Sequence, residues 1–400
     1  MKHLKDIDGE HHTVIMIQVE NEIGIMGDSR DRSPEAESLF KSPVPNGLLE
    51  YLHANRETLN SSFHSRFDIK ATAGKELTWT EAFGDDVWSD DIFMANAFST
   101  FVQTIAAAGR EEYNLPTYTN VALCNEEPSW ADHIPIPAFI PAGDTPGQYP
   151  SGGPVGHNID VYRFNAPAIE LYGPDIYLQD YDKVCECFTH DGLPLFVPEQ
   201  RRDEYGLRRI WLAIGSRRAI GCAPFGVDSL DFNENDIGLH YGILKTMAPY
   251  ILEAETNRPE DIMGFFFDEP GAPTSPSKYT RTFPDFKITV ERAFVFGKQG
   301  PGAGIVIRQA DGSFLGAGFG FQVVFESTND KSMYSGVLRV EEKEPDGEGG
   351  LRTVRILNGD ETNHENFWIM PSRKPDIGTF PVPVFIPART FISRWIPYSI

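Results

Sequence analysis

The sequence has few cysteines and few basic residues, and each shortage narrows the classes of protein to which it can belong. Its four cysteines show neither a disulfide framework nor the spacing of a zinc site. The 35 lysines and arginines are outnumbered by 58 acidic residues, whereas a nucleic-acid-binding protein presents a basic surface, so we predict no nucleic-acid partner. There is no run of about 18 uninterrupted apolar residues, which predicts that no segment spans a membrane.

The chain carries no clear targeting signal. The segment Met1–Asp6 has no apolar stretch and therefore predicts no signal peptide. The triplet Asn60-Ser61-Ser62 is a glycosylation sequon, which permits glycan attachment in a secreted protein but does not establish secretion. The localisation of the protein and its oligomeric state are therefore left open.

Length and a change of pattern near residue 258 indicate two domains. Four hundred residues exceed the usual size of one hydrophobic core. Up to residue 257, apolar strand-like runs alternate with segments of helical spacing, which is typical of an α/β fold with a parallel sheet. From residue 258, short strand-like runs separated by turns predict a β-sandwich. The domains are therefore placed at residues 1–257 and 258–400.

The first predicted strand, Thr13–Ile17, is followed by an unusual group of polar residues. Its unbroken apolar and β-branched character predicts a strand covered on both faces of a sheet. The chain then continues into Glu20, Asn21 and Glu22. Carboxylates are rarely buried without a partner. Either the strand simply reaches the surface here, or these side chains have a function.

A second strand ends in the same way. The apolar run Leu193–Pro198 leads directly into Glu199. In α/β folds, active sites assemble at the carboxyl ends of parallel strands, so the two strand ends are expected to meet. Two carboxyl groups facing each other across a sugar perform glycoside hydrolysis, in which one gives a proton and the other stays ionised.

Both strand ends resemble those of a known family. The segment Val19–Glu22 after an apolar strand resembles the acid/base strand of the retaining (β/α)8 glycosidases, in the form found in glycoside hydrolase family 35, the β-galactosidases. The segment Leu195–Glu199 resembles the nucleophile strand of that family. The resemblance implies a TIM-barrel hydrolase acting on terminal β-galactosyl residues of carbohydrates, with Glu199 as nucleophile and Glu22 as acid/base. It implies no metal and no organic cofactor.

The resemblance also suggests substrate-binding residues. Asn21 corresponds to the residue that binds the sugar 2-hydroxyl, and Tyr177 in the segment Asp175–Tyr177 corresponds to a tyrosine beside the nucleophile. Tyr177 can equally be a strand-end residue that packs on the next helix. Asn120, towards the end of its own strand, is a further candidate for sugar binding. Periodicity does not choose between Glu20 and Glu22, since residues two apart share a face of a strand.

The chain departs from the family in the number of barrel strands. The first strand matches the fourth strand of the barrel, so only strands four to eight are predicted, and the first three strand–helix units are absent. A complete barrel needs eight units in about 250 residues. The fold expected is therefore a partial barrel of about five parallel strands followed by a β-sandwich. Two alternatives stay open: another β-glycosidase specificity on the same machinery, and a truncated fragment without catalytic activity.

Other motifs are weaker. The glycines of Gly316–Gly320 lie between β-runs and open no helix, so a phosphate-binding loop is not predicted. The pair His11-His12 has no third metal ligand nearby. Ser151 and Ser229 have no recognisable base around them, so a serine hydrolase is disfavoured.

Overall fold

A computed structural model gives the fold of residues 1–68, 76–124, 143–231, 236–272, 276–294, 298–357, 359–362, 367–373, 376 and 390–400. The chain forms two compact units that are not continuous in sequence. The first unit contains residues 1–200 and 219–223, and the second contains residues 201–218 and 224–400. These units are defined by contacts alone, so the domain boundary expected between residues 257 and 258 stays a prediction.

The first unit is built on a parallel sheet of five strands in the order β1-β2-β3-β4-β5. Spatial order follows chain order, as the alternation of strands and helices in the sequence indicates. The predicted α/β class and the predicted five parallel strands are therefore confirmed. The strands are β1 Ile17–Gln18, β2 Thr117–Ala122, β3 Leu171–Ile176, β4 Phe196–Gln200 and β5 Gly221–Pro224.

Eight helices are described in the first unit. The longest begins after Asp86, whose side chain accepts a hydrogen bond from the backbone N–H of Trp88 and so caps the helix. The helices are α1 Lys2–Asp8, α2 Pro34–Phe40, α3 Asn46–Ala54, α4 Ser61–Arg66, α5 Trp79–Phe83, α6 Val87–Glu112, α7 Ile159–Asn165 and α8 Tyr181–Phe188.

The first strand is shorter and more exposed than the sequence predicts. The prediction of a strand over Thr13–Ile17, buried on both sides, is wrong: β1 contains only Ile17 and Gln18, and Ile15 is 69% exposed. The reason is its place in the sheet. Among the described residues β1 pairs only with β2, so it is an edge strand, and an edge strand lacks the second neighbour that would cover it.

Helix α6 is the one described helix that is long and apolar enough to cross a membrane by length and composition alone. It carries two buried carboxylates near its start, Asp90 and Asp91, and each has polar partners. The helix also contacts α5 and α7. These contacts account for the buried residues of the first half of the helix, whereas Phe101 and Ile105 in its second half are exposed.

Asp91 fixes a loop to helix α6. Its side chain is fully buried, and five groups of the loop at residues 149–158 donate hydrogen bonds to it. The backbone of Ser151 in this loop pairs in turn with Ile25, at 2.9 and 3.0 Å, shortly after the turn that follows β1. The donors to Asp91 are Gly152 N at 2.5 Å, His157 Nε2 at 2.6 Å, and Ser151 Oγ, Asn158 Nδ2 and Tyr149 OH at 3.0 Å each.

The described residues of the second unit form two α-helices and two antiparallel sheets. A six-stranded sheet has the order β13-β12-β15-β10-β9-β6, and a four-stranded sheet has the order β14-β11-β8-β7. The helices are α9 Glu204–Arg217 and α10 Ile237–Asn257. The strands are β6 Ile262–Phe267, β7 Lys278–Thr282, β8 Phe286–Arg292, β9 Gly302–Arg308, β10 Phe314–Phe319, β11 Phe321–Ser327, β12 Ser335–Pro345, β13 Leu351–Leu357, β14 Phe367–Met370 and β15 Ile392–Ser399.

The two antiparallel sheets share one aromatic core, as in the β-sandwich that the sequence predicts. Trp368 of β14 stacks on Trp395 of β15, with ring centroids 4.2 Å apart, so residues of both sheets meet in the centre. Helix α9 packs against β6, where Gly215 approaches Gly264 so closely that a Cβ on either would overlap backbone atoms.

One of the short strand-like runs expected after residue 258, at residues 316–325, forms two strands. The run at residues 316–325 divides into β10 and β11, which belong to different sheets. Gly320 stands between them with φ of 73°, a conformation that favours glycine, and it lets the chain pass from one sheet to the other. The glycines of Gly316–Gly320 thus lie in or beside strands, and no helix follows them. Part of the run predicted at residues 382–395 lies outside the described residues.

Candidate functional site

Three carboxyl groups meet at the carboxyl ends of the parallel strands. Glu22 lies in the turn after β1, Asp175 is near the end of β3, and Glu199 is near the end of β4. Strand pairing places Asp175 directly beside Glu199. One carboxylate oxygen of each residue lies within 4.8 Å of the other two. The structure thus brings together the two glutamates that the sequence singles out, and adds an aspartate.

The turn after β1 places Glu22 towards the other carboxyl groups. Glu20 and Glu22 both have positive φ, 62° and 45°, which is uncommon for residues other than glycine. Glu20 is exposed, whereas Glu22 is half-buried, and the backbone N–H of Glu22 donates to Oδ1 of Asn120 at 2.9 Å. The turn therefore distinguishes two glutamates that strand periodicity could not.

Asn120 connects the strands beneath the carboxyl groups. Its side chain is fully buried. Its Oδ1 also accepts a hydrogen bond from Gln18 Nε2 at 3.0 Å, and its Nδ2 donates to Asn21 Oδ1 at 3.1 Å and to Asp175 Oδ2 at 2.8 Å. Both the oxygen and the nitrogen of the Asn120 amide are hydrogen-bonded to protein groups. These bonds favour a role for Asn120 in positioning the neighbouring side chains. The prediction that Asn120 binds sugar stays a prediction.

Gln18 joins the same network from β1. Its Nε2 also donates to Oδ1 of Asn21 at 3.1 Å, and its Oε1 accepts a hydrogen bond from the hydroxyl of Tyr118 at 2.9 Å. Tyr118 packs edge-on against Phe196 of β4, with ring centroids 5.2 Å apart. Sequence analysis did not single out Gln18 or Tyr118, because neither contributes to a motif that is local in sequence.

Tyr177 lies beside Glu199. Its hydroxyl donates to Oε2 of Glu199 at 2.8 Å. Burial and this hydrogen bond to a carboxylate raise the pKa of the Tyr177 phenol. The hydroxyl is thus held as a donor to the carboxyl group of Glu199. The structure shows the contact between Tyr177 and the glutamate, and the prediction that Tyr177 binds substrate stays a prediction.

Asp175 is the residue that sequence analysis missed. It is only 2% exposed, in a strand whose six residues are all buried. Burial first, and then the charges of Glu199 and Glu22, raise the pKa of Asp175 to about 10. The available signal was an aspartate closing an otherwise apolar strand, a feature that was noted only as part of the segment containing Tyr177.

The pKa of Glu22 is also raised. Burial and the charge of Glu199 raise the pKa of Glu22, while a hydrogen bond with Asp175 opposes the rise. Carboxylate oxygens at this spacing can hold a cation, and they can equally share protons without one. We assign no metal ligands here, and the expectation of no metal stays a prediction.

Comparison with known proteins gives one family match. Residues 237–368 match a model described as a domain of unknown function (DUF5597). This match covers α10 and most of the β-strands of the second unit, and it does not include the three carboxyl groups. Comparison of the chain with curated proteins returns no significant match.

Proposed function

We propose that the chain is a retaining β-glycosidase with the site of a (β/α)8 hydrolase, and specifically a β-galactosidase that resembles glycoside hydrolase family 35. The observation that supports this proposal is the approach of Glu22 and Glu199: one carboxylate oxygen of Glu22 lies within 4.8 Å of one carboxylate oxygen of Glu199. Retaining glycosidases have carboxyl groups about 5–5.5 Å apart, and inverting ones about 6.5–9.5 Å. The short separation supports a double displacement.

In the proposed reaction, Glu199 attacks the anomeric carbon while Glu22 protonates the leaving oxygen. A covalent glycosyl-enzyme results, and Glu22 then removes a proton from the water that hydrolyses it. The raised pKa of Glu22 suits a proton donor, and the hydrogen bond from Tyr177 suits an ionised nucleophile. Asn21 would contact the sugar 2-hydroxyl, an interaction that strengthens in the transition state.

The proposed substrate is inferred from the resemblance of the two strand ends. Terminal β-galactosyl groups of oligosaccharides or polysaccharides come from the resemblance at Val19–Glu22 and Leu195–Glu199 alone. Another β-glycoside would use the same carboxyl groups. The chemistry requires no organic cofactor, and the acidic chain is compatible with a neutral sugar as substrate.

A second candidate is a chain without catalytic activity. The observation that favours it is the open sheet: β1 and β5 are its two edges among the described residues, and Ile15 before β1 is 69% exposed. A closed barrel has no such edges. Turnover of a panel of aryl β-glycosides by the purified chain separates the candidates, since a folded chain that hydrolyses none of them would support the second.

Variants test the two roles. Glu199→Gln should abolish formation of the glycosyl-enzyme, observed by mass spectrometry with a slowly released substrate. Glu22→Gln should impair substrates with poor leaving groups far more than those with good leaving groups, which need no proton. Glu20→Gln is a matched control, because Glu20 is in the same turn but exposed. Equal losses for both substrate types in Glu22→Gln would contradict the acid/base assignment.

A further inference from the structure

Asp175 is surrounded by groups that disfavour a negative charge. It is buried and faces Glu22 from the turn after β1 and Glu199 from β4, and the neutral phenols of Tyr118 and Tyr177 nearby bring no positive charge. No ion pair in the described part of the chain includes Asp175. A buried carboxylate next to two others, without a cation, is costly, and loss of one charge by protonation is the usual response.

The two oxygens of Asp175 have different surroundings. Oδ2 accepts the hydrogen bond from Asn120 Nδ2 at 2.8 Å. Oδ1 is buried, and no donor among the described residues reaches it. A buried oxygen without a donor is unfavourable as an acceptor, whereas a protonated Oδ1 is itself a donor. Glu22 and Asp175 are within hydrogen-bonding reach of each other, so the carboxyl group of Glu22 is an acceptor for that proton.

We propose that Asp175 is a positioning residue that remains a neutral carboxylic acid and donates its Oδ1 proton as a hydrogen bond to Glu22 whenever Glu22 is ionised. The inference rests on the proposed function, in which Glu22 is the acid/base. It adds a role that the two-carboxylate mechanism does not contain.

The proton count of this arrangement is balanced at each step. Before reaction Glu22 and Asp175 are both protonated and Glu199 is ionised. When Glu22 transfers its proton to the leaving oxygen, the glycosidic bond breaks and Glu199 forms an ester with the sugar. Glu22 is then the single carboxylate, and the O–H of Asp175 stabilises it. Asp175 keeps its proton when water restores the proton of Glu22.

The variant Asp175→Asn tests whether Asp175 is protonated or ionised in the wild type. Asparagine is uncharged, and its Nδ2 can donate to Glu22 as the acid does, so the titration midpoint of Glu22 should stay where it is. If Asp175 is a carboxylate in the wild type, the substitution removes a negative neighbour and the midpoint should fall by a unit or more, on the order expected for adjacent like charges. That fall would overturn the proposal.

Asp175→Leu tests the hydrogen bond itself. Leucine has a similar size and no donor, so the midpoint of Glu22 should rise by about one pH unit, the effect of one hydrogen bond to a charged group. An unchanged midpoint in a folded leucine variant would overturn the proposal. If the leucine variant does not fold, the asparagine variant decides alone.

Both titrations can be followed without substrate. Carbon-13 NMR of glutamate-labelled protein, with the Glu22 signal assigned by its loss in Glu22→Gln, gives the midpoint directly. Infrared spectra at neutral pH should show stronger protonated-carboxyl absorption in the wild type than in Asp175→Asn, in which Glu22 keeps its proton and only the contribution of Asp175 is lost; absence of this difference would overturn the proposal. An inactive wild type that shows the band and the expected midpoints would reject the proposed glycosidase function while retaining the neutral Asp175.

Discussion

Replacement of Asp91 by asparagine should destabilise the first unit strongly, because five donors converge on this fully buried side chain. An amide has one acceptor oxygen where the carboxylate has two, so its NH2 group must face donors whichever way it turns. Each buried donor left without an acceptor costs about 1–3 kcal/mol, and breaking a buried charged pair costs about 3–5 kcal/mol. At Oδ1 the donors are Ser151 and Gly152, and at Oδ2 they are Tyr149, His157 and Asn158.

We therefore expect Asp91→Asn to lower the free energy of unfolding by about 3–5 kcal/mol, a large part of the roughly 5–15 kcal/mol typical of a folded protein. Urea titration, followed by circular dichroism and by tryptophan fluorescence, measures this change. Asp85→Asn is the matched control, since Asp85 is exposed just before α6 and the substitution changes the net charge equally. A surface substitution should remain within about 0.5 kcal/mol.

The pH dependence provides a second measurement on the same residue. Burial alone would raise the pKa of Asp91, but its hydrogen bond and ion pair with His157 hold the pKa below its ordinary value. The stability from this group is present above the unfolded pKa of about 3.9 and is lost as the pH falls through the folded value. Asp91→Asn should lose less stability on acidification than the wild type. Equal stability of Asp91→Asn and Asp85→Asn at neutral pH would refute the reasoning.

Other buried polar groups lead to three more expectations. The pKa of Asp175 is raised by burial and by the neighbouring carboxylates, so the free energy of unfolding should decrease as the pH rises from about 4 towards about 10. Asp175→Asn should flatten this slope in urea titrations at several pH values. An unchanged slope would contradict this expectation. Asp268 is 1% exposed and is paired with two arginines of α9. Asp268→Asn should therefore lower the free energy of unfolding by about 3–5 kcal/mol and lower the urea midpoint. A midpoint equal to that of the wild type would disprove this expectation. Asn60 is fully buried, and its amide donates to a backbone carbonyl at 2.9 Å. Folded protein from a glycosylating host should therefore carry no glycan at Asn60. A glycan-sized mass increase on a peptide containing Asn60 would contradict this expectation.

The parts of the site that the sequence predicts are those encoded locally. An apolar strand that ends in a glutamate is recognisable at Glu199 without knowledge of its neighbours, and parallel strand order then brings the strand ends together. The neutral state predicted for Asp175 depends on residues from two other strand ends, so no pattern around Asp175 itself contains it. Sequence analysis therefore found the two glutamates and overlooked the aspartate between them.

The errors in the fold have a similar cause. The residues Thr13–Ile17 have the composition of a central strand, but whether a strand has one neighbour or two is decided elsewhere in the chain. The sequon at Asn60, from which no glycan was predicted, also shows that a local pattern does not determine burial. Its three residues are those of a surface acceptor, yet Asn60 caps α4 and bonds to the carbonyl of Cys187, a residue distant in sequence.

The chain passes between its two compact units three times, after residues 200, 218 and 223, and this sets how the protein can be divided. A single cut after residue 200 would leave β5, an edge strand of the parallel sheet, on the wrong fragment. A cut after residue 223 would instead detach α9 from the sheet on which it packs. Neither unit can be produced intact as one continuous segment. The first unit would require a chain in which a short linker replaces residues 201–218, and the second would require a chain in which residue 218 is joined to residue 224.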